Sequence, residues 1–382
     1  MISFTTDLDP RIIIRKNRVY RIQNYDLDNA YPQNIDMLIS ASGAATRCVN
    51  TFAKFIKGEG FKDLTFYKAI INRRGMTVDM LFRKLAADYA RFKGYGIHMN
   101  FNLNGKITEV FHVPFEHIRL GDDEVPEVAG RAALYDDWDG RRRLYFLRKK
   151  IDWIDLYNAD PEYVSYRIEE EGVGQYKGQL FYYGNEYPLS PIDSVREDVI
   201  TDSETKMYKF RNVTTNFMAS HMFATPEFEK EEERTEFRNN VKKFQGGKNA
   251  SRIFHVEYKK KDQIPEIKPF DVPKNDRMFE YHETSVGENI RKQFGAPGVL
   301  IGETIPGQIG LSQQMVDAIT YYNNYTKEER IMFEETFKDI FSNWEGAINP
   351  SGNYSIIPMG TGEFMSESLN PKKEDPKTPP VE

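Results

Sequence analysis

The chain has 382 residues and a net charge of -6, from 52 Lys and Arg against 58 Asp and Glu. Single hydrophobic cores stop growing at roughly 250 to 300 residues, so this length predicts two or three packed units. The acidic balance disfavours tight, static binding of nucleic acid, which needs a basic surface, and leaves weak or sliding contact open.

Aromatic residues make up 13% of a chain in which 40% of residues are hydrophobic. Large aromatic side chains are favoured where subunits meet, so this share indicates either oligomerisation or an ordinary aromatic core. The single cysteine, Cys48, excludes an intramolecular disulfide and favours a reduced compartment or indifference to redox. Neither a signal-peptide pattern nor a membrane-spanning apolar run occurs, so we expect no secretion and no membrane.

The first elements in chain order are helical. The first thirty residues carry no periodic pattern and are expected to form an arm or an edge strand. Apolar spacing from Pro32 predicts one or two helices that end at Gly58-Glu-Gly60. Thr77 is the predicted N-cap of a helix with an apolar face from Leu81 to Phe92, closed by Gly94.

The apolar period then changes from helical to alternating. Ile97, Met99 and Phe101 alternate with polar residues, and Asn104-Gly105 supplies a turn before a second strand, which predicts a β-hairpin. Further strands are predicted at 144–147, 163–168 and 179–183. The region up to Tyr187 is therefore predicted to be an α+β domain.

A helical regime returns near Asp202. Apolar residues at helical spacing predict a helix that stops at Pro226, and a charged helix with a thin apolar seam is predicted at 227–244. Strands predicted at 251–258 and 265–272 flank the basic cluster Lys259-Lys-Lys261. A small α/β module is thus predicted between two helices, the second of which spans 275–293.

The last elements surround a Gly/Pro-rich apolar stretch, Phe294-Gly-Ala-Pro-Gly-Val-Leu-Ile-Gly302. A segment at 303–310 with pliable glycine backbone follows, and then a helix capped by Ser312 and extending to about Trp344. The last twenty residues are rich in Pro, Lys, Glu and Thr with little apolar content, which predicts a disordered tail.

Two motifs suggest catalytic or binding chemistry and fail on spacing. His112-Val-Pro-Phe-Glu116-His117 is one residue too long for an inverted zincin, and Pro114 would break the required helix, so histidines hydrogen-bonded to backbone at a strand end are expected. Gly246-Gly247-Lys248-Asn249 lacks the first glycine and the Ser or Thr of a phosphate loop, which favours a helix C-cap and a turn. We therefore expect no catalytic residues, no metal and no cofactor.

The order of elements from Pro188 onward, with its motifs, resembles the portal (head-tail connector) proteins of tailed bacteriophages. Leu189-Ser-Pro-Ile192 is similar to the motif that precedes the first stem helix of that family. The run 237–250, ending Gln-Gly-Gly-Lys-Asn-Ala, resembles a helix of the family with a Gly-x-x-Asn-Ala close. Lys292-Gln-Phe-Gly-Ala-Pro-Gly-Val-Leu-Ile-Gly302 is similar to the pattern Phe-Gly-(Ile/Val)-Pro-Pro-x-Leu-Leu-Gly, with Gly298 in place of the second proline.

The resemblance extends to the N-terminal half, where Gly94-Tyr-Gly-Ile-His-Met-Asn100 and His112 to Arg119 look like the wing pattern of the family. It implies a portal-like α+β fold, with an α+β wing, a helical stem, a small α/β clip and a long wing-spanning helix. The implied domains are an N-terminal wing at 1–200, a first stem helix at 201–223, a clip at 224–274, a second stem helix at 275–294, a tunnel loop at 295–311, a long wing helix at 312–345, a small crown or C-terminal segment at 346–360 and a disordered tail at 361–382.

The function implied by the resemblance is a homo-oligomeric ring of twelve subunits at one vertex of the capsid, assembled in the host cytoplasm and present in the virion. Double-stranded DNA would pass through its channel during packaging and ejection. The implied partners are the large terminase, the tail adaptor and the major capsid or scaffold protein, with no membrane. A net-acidic chain suits such a conduit, because each phosphate neutralised by Lys or Arg adds affinity through counterion release.

The resemblance also implies two groups of site residues. The DNA-facing tunnel loop would be Glu303, Thr304, Ile305, Pro306, Gly307, Gln308, Ile309 and Gly310. The contacts of the clip with its partner would be Lys242, Lys243, Lys248, Arg252, Lys259, Lys260 and Lys261. Two alternatives stay open: another head-tail adaptor or ring component, and a hydrolase of unknown substrate working through Asp88, His98 or His112.

Overall fold

The computed structural model of this chain describes residues 14–140, 151–172, 174–184, 186–215, 219–226, 228, 230–235, 237, 252–258, 276–302 and 311–360. Helices and strands together make an α+β fold, as predicted. The chain divides into two compact units: unit 1 comprises Met1–Arg196 and Ile290–Glu382, and unit 2 comprises Glu197–Asn289. No helix in the described ranges combines the length and the apolar character needed to cross a membrane.

The N-terminal helices of unit 1 begin and end close to the start and stop residues predicted from the sequence. They are α1 (Tyr31–Ala41), α2 (Gly43–Lys57), α3 (Leu64–Lys68) and α4 (Val78–Phe92). Thr77 Oγ1 accepts a hydrogen bond from Met80 N at 3.3 Å, which confirms the predicted N-cap of α4. The helix ends at Lys93, in the left-handed region with a φ of 56°, one residue before the predicted Gly94.

Twelve strands are described across the two units. They are β1 (Arg15–Asn17), β2 (Ile22–Asn24), β3 (Gly60–Phe61), β4 (Tyr95–Phe101), β5 (Ile107–Val113), β6 (Ile118–Leu120), β7 (Arg131–Leu134), β8 (Asp152–Leu156), β9 (Gln179–Tyr183), β10 (Ala219–Pro226), β11 (Arg252–Tyr258) and β12 (Ile356–Ile357). Six of them form one sheet in unit 1, in the order β5-β4-β9-β8-β7-β6. Its pairs are antiparallel except β8–β9, and the predicted β4–β5 hairpin and strand 179–183 are confirmed.

The N-terminal segment forms a β-hairpin, β1–β2, where an arm or an edge strand was expected. The strand predicted at 163–168 was wrong, because these residues lie in helix α5 (Pro161–Glu171). Asp160 caps this helix by accepting from Glu162 N, and Pro161 suits the first helical turn. Val164 and Ile168, four residues apart, share the buried face, so the helix-start signal outweighed the β-branched and aromatic composition. The strand predicted at 144–147 lies outside the described residues.

A phenylalanine cluster joins the two ends of unit 1. The last helices are α8 (Leu311–Tyr325) and α9 (Lys327–Phe341). Phe82 of α4 has ring centroids 5.2 Å from Phe61 of β3 and 5.2 and 5.3 Å from Phe333 and Phe337 of α9. All four side chains are buried, so the C-terminal helix completes the core that the N-terminal helices begin.

Unit 2 contains most of α6 (Arg196–Thr215) and α7 (Asp276–Gln293), with β10 and β11 paired in parallel. The extent predicted for the first stem helix, 201–223, was wrong: α6 begins earlier, and residues from Ala219 onward form β10. The apolar spacing over this run fits a helix, but the backbone groups of 219–226 pair with β11 instead. The strand predicted at 251–258 is confirmed as β11, and the second stem helix, predicted at 275–294, corresponds to α7.

The single long helix predicted at 312–345 was wrong, because α8 and α9 are separated at Thr326. Thr326 and Arg330 are both buried there.

Residues 346–360 pack within unit 1, where Ile356 and Ile357 pair with Phe61 and Gly60. Of the helix predicted at 227–244, residues 231–235 and 237 are helical. The segments 246–249, 265–272 and 361–382 lie outside the described residues.

Candidate functional site

The segment that leads into α6 is pinned to the first helices of unit 1. Ser190 is buried; its backbone N–H donates to Tyr31 Oη at 2.9 Å and its Oγ donates to Arg91 O at 2.5 Å. Ser190 Oγ also accepts from Ile192 N at 3.3 Å, which caps a 3₁₀ turn over Pro191–Val195. Leu189-Ser-Pro-Ile192 is therefore a positioned turn, and we name residues 187–196 the incoming segment.

The glycine-rich stretch after α7 is also fixed by contacts with other helices of unit 1. We name residues 290–302 the outgoing segment. Phe294 is buried, its carbonyl accepts from Tyr322 Oη at 3.0 Å, and its ring centroid lies 5.9 Å from that of Phe52. Gly295 has a φ of 58°, and a Cβ built there would lie 2.7 Å from the Tyr325 ring. Glycine is required at this position by both backbone conformation and space.

The remainder of the outgoing segment is a second turn. Pro297 precedes a 3₁₀ turn over Gly298–Ile301, which ends at Gly302 with a φ of 85°. Gly298, which replaces the second proline of the family pattern, therefore opens a helical turn, a position where proline is also tolerated. A proline at position 298 would therefore fit this turn as well.

The incoming and outgoing segments meet at one cavity of about 370 Å³ in unit 1. The incoming segment lines it from Leu189 to Ser194, and Gln293 and Phe294 line it from the outgoing side. The remaining wall comes from α2, the end of α4 and α8, through Phe52, Lys93 and Tyr325. The tertiary structure therefore brings together two motifs that are far apart in the sequence.

Lys93 is the basic residue of this cavity, and no sequence pattern singled it out. Its Nζ lies 4.8 Å from the ring centroid of Phe52 and 4.6 Å from that of Tyr89. Glu329 Oε1 is 3.4 Å from the same nitrogen. Burial lowers the pKa of Lys93 from its ordinary 10.5, and the Glu329 carboxylate opposes that shift. The ammonium group of Lys93 thus lies over two aromatic rings, and the distant Glu329 carboxylate balances its charge only weakly.

The residues that the resemblance implied as contact sites fall mostly outside the described part of the chain. This applies to all eight residues of the tunnel loop, Glu303 to Gly310, and to Lys242, Lys243, Lys248 and Lys259 to Lys261. Arg252 is described as the first residue of β11. These assignments stay predictions.

The hydrolase candidates are only partly brought together. His112 Nε2 lies 2.8 Å from Asp88 Oδ2, which also accepts from Phe115 N at 3.1 Å. The expected backbone partner of His112 was therefore wrong; the carboxylate of α4 faces it instead. His98 Nε2 lies 2.6 Å from Lys177 O, and burial lowers the pKa of His98. In the described ranges, no group of three or more His, Cys, Asp or Glu could hold a metal ion.

Comparison with known proteins gives one kind of match. No family model matches the chain, and no curated protein matches it. Similar solved structures include the virion of a native gene transfer agent particle, with a TM-score of 0.41, 13% identity and 72% of each chain covered. The neck of the native particle, computed with C12 symmetry, has a TM-score of 0.41 and 12% identity, covering 81% of this chain and 76% of the other. The neck of the empty particle, computed with C6 symmetry, has a TM-score of 0.42 and 12% identity, covering 82% and 76%.

Proposed function

We propose that this chain is the subunit of a portal ring, the conduit for double-stranded DNA at one vertex of a phage capsid. The observation that carries the proposal is the meeting of the incoming and outgoing segments at one cavity. These segments hold the two motifs that most resemble the portal family, and they bracket an inserted unit. A shared anchor for the two helices of a stem requires this arrangement.

The order of helices and strands in unit 2 supports the proposal further. Helices α6 and α7 bracket the β10–β11 pair in sequence, in the order expected of two stem helices around a clip. Near the start of α6 and the end of α7, Asn289 Nδ2 donates to Asp198 Oδ1 at 3.3 Å. The start of α6 and the end of α7 are therefore within hydrogen-bond reach of each other at this end of unit 2.

Exposed apolar side chains support assembly into a ring. In α6, Met207, Tyr208 and Phe210 are exposed, Phe210 to 65%. In α8, Val316 and Tyr321 are exposed to 55% and 56%. Large apolar side chains grouped on helices mark protein interaction sites, and a head-to-tail interface that closes by rotation forms a ring.

In this proposal the chain acts as a passage and a docking platform, with the large terminase, tail adaptor and capsid or scaffold protein as partners, and has no catalytic activity of its own. Asp88 and His112 then serve to fasten the end of β5 to α4. A broad hydrolase screen of the purified chain should show no turnover. Turnover that disappears in Asp88→Asn would support the rival hydrolase function instead.

Negative-stain imaging of the purified protein tests the ring directly. We expect rings with a central hole, and Phe210→Glu should shift the population towards monomers because a charge would be buried at the interface. Phe210→Tyr is the matched control and should still form rings. Particles that remain monomers or dimers under all assembly conditions would contradict the proposal.

The DNA-conduit role needs a separate test. Deletion of residues 303–310 should leave ring assembly intact and impair DNA packaging or retention in the assembled particle. The measurement is the DNA content of particles after nuclease treatment. Normal packaging by the deletion variant would argue against a DNA-facing role for this segment.

A further inference from the structure

The ammonium of Lys93 has more hydrogen-bonding capacity than its surroundings use. A lysine ammonium carries three donors. Among the residues that the structure describes, the one oxygen within reach of Nζ is Glu329 Oε1, at 3.4 Å, which is long for a charge-assisted hydrogen bond. The side chain is 33% exposed, so part of it faces the cavity.

The other carboxylate at the cavity does not compensate Lys93. Asp193 lines the cavity but is hydrogen-bonded to the hydroxyl of Tyr31. The remaining lining near Lys93 combines the rings of Phe52, Phe294 and Tyr325 with the polar side chains of Ser190, Ser194 and Gln293. An under-compensated cation beside aromatic rings in a partly polar cavity matches a ligand with an acidic head and a short apolar stem.

We propose that this cavity is a docking site for an acidic side chain of a second copy of this chain, with Lys93 as its charge anchor. The inference rests on the proposed ring, whose subunit interface it would locate in part. The carboxylate would accept hydrogen bonds from Lys93 Nζ. The methylene groups that carry it would lie against Phe52 and Phe294.

Charge and exposure both favour a second copy as the occupant. The chain has 58 acidic and 52 basic residues, so a second copy offers many carboxylates, and pairing one of them with Lys93 offsets the mild repulsion between two net-acidic copies. At the rim of the cavity Leu189 is 46% exposed and Tyr325 is 45% exposed. These apolar side chains would be removed from water by the same contact.

A zero-length carbodiimide cross-link tests this directly. Rings assembled from a mixture of ordinary and ¹⁵N-labelled chains are treated with the reagent, which joins an ammonium to a carboxylate in salt-bridge contact. Mass spectrometry then identifies the partner of Lys93. We expect a cross-link between Lys93 and an Asp or Glu of the other isotopic copy.

Two variants give an independent readout. Lys93→Met should raise the protein concentration needed for half-maximal assembly by about tenfold or more, because it leaves a carboxylate buried without a partner. Lys84→Met, which removes an exposed lysine of α4, the helix that Lys93 follows, should leave that concentration unchanged. Thermal unfolding of each monomer shows whether the fold has survived the substitution.

The outcomes separate this inference from the proposed function. Rings in which Lys93 cross-links only to Glu329 of its own chain would overturn the inference and leave the ring standing. The same holds if Lys93 forms no cross-link between copies, or if Lys93→Met assembles like Lys84→Met. Protein that stays monomeric throughout would overturn both the inference and the ring.

Discussion

At the scale of single residues, Glu116 is placed among like charges. Burial raises its pKa, and the carboxylates of Asp36 and Asp88 raise it further, whereas Arg91 and Arg119 oppose the shift. A glutamate whose pKa is raised by folding stabilises the folded state at low pH. That contribution is lost as pH rises from the unfolded value of about 4.3 through the folded pKa.

Glu116→Gln should therefore raise the Tm at pH 7 to 8, because a neutral amide removes the cost of the buried charge. Near pH 4 the Tm of the variant should equal that of the parent, since both side chains are then uncharged. Glu335→Gln, at an exposed position in α9, serves as the control and should show no difference at either pH. Differential scanning calorimetry across this pH range checks the sign, and a lower Tm at neutral pH would contradict it.

Substitutions at two glycines of the outgoing segment would measure backbone strain and steric overlap separately. Both have a positive φ, 58° at Gly295 and 85° at Gly302. A Cβ at Gly295 would meet the Tyr325 ring at 2.7 Å, whereas no heavy atom of the described residues lies within 4 Å of a Cβ at Gly302. The two positions thus share the conformational cost and differ in space.

Gly302→Ala should lower the free energy of unfolding by about 1 kcal/mol, the cost of a left-handed alanine. Gly295→Ala should lower it by about 2 to 4 kcal/mol, because the ring of Tyr325 must also move. Urea denaturation measures both values. Equal decreases in the free energy of unfolding would show that the Tyr325 ring moves aside without an energetic cost.

At the scale of elements, a buried arginine holds the joint between α8 and α9. Arg330 Nη1 donates to Phe55 O at 3.0 Å and to Thr326 Oγ1 at 2.6 Å, and Nη2 donates to Asn323 O. These bonds tie the end of α8, the start of α9 and the last turn of α2 together. The long helix predicted from apolar spacing is therefore divided at a point where the Arg330 guanidinium binds backbone carbonyls of α2 and α8.

Arg330→Met should lower the free energy of unfolding by about 2 to 3 kcal/mol, because buried carbonyls lose their donors. Lys327→Met, three residues earlier at an exposed position, should change it by less than about 0.5 kcal/mol. Chemical denaturation of the two variants provides the comparison. A loss at Arg330 no larger than at Lys327 would contradict the proposed role of the guanidinium.

At the scale of the whole molecule, unit 2 is an insertion whose ends are close. The hydrogen bond between Asp198 and Asn289 shows that the chain leaves and returns at neighbouring points. Replacing residues 197–289 with a short Gly/Ser linker should therefore leave unit 1 folded, with cooperative unfolding and near-ultraviolet circular dichroism. Removal of α5, whose Val164 and Ile168 are buried, is the control and should abolish cooperative unfolding. Loss of cooperativity in the first variant would show that unit 1 depends on unit 2.

Sequence reasoning alone determined the elements whose signals are local. The Thr77 cap, the β4–β5 hairpin around Asn104-Gly105 and the α+β class all rest on side chains that act on their own backbone within a few residues. The Gly/Pro-rich stretch from Phe294 to Gly302 was likewise visible in the sequence as a break between two helices. That Gly295 is required there was not visible, because the Tyr325 ring against it comes from a distant part of the chain.

Tertiary structure decided what depends on partners that are distant in the chain. The pairing of β10 with β11 ended α6 before its apolar spacing did, and Arg330 divided the long helix. The cavity between the incoming and outgoing segments, with Lys93 at its wall, depends on contacts between segments that the sequence keeps far apart. The local spacing of apolar residues cannot predict such contacts. They stabilise the fold only when the distant partner is already in place.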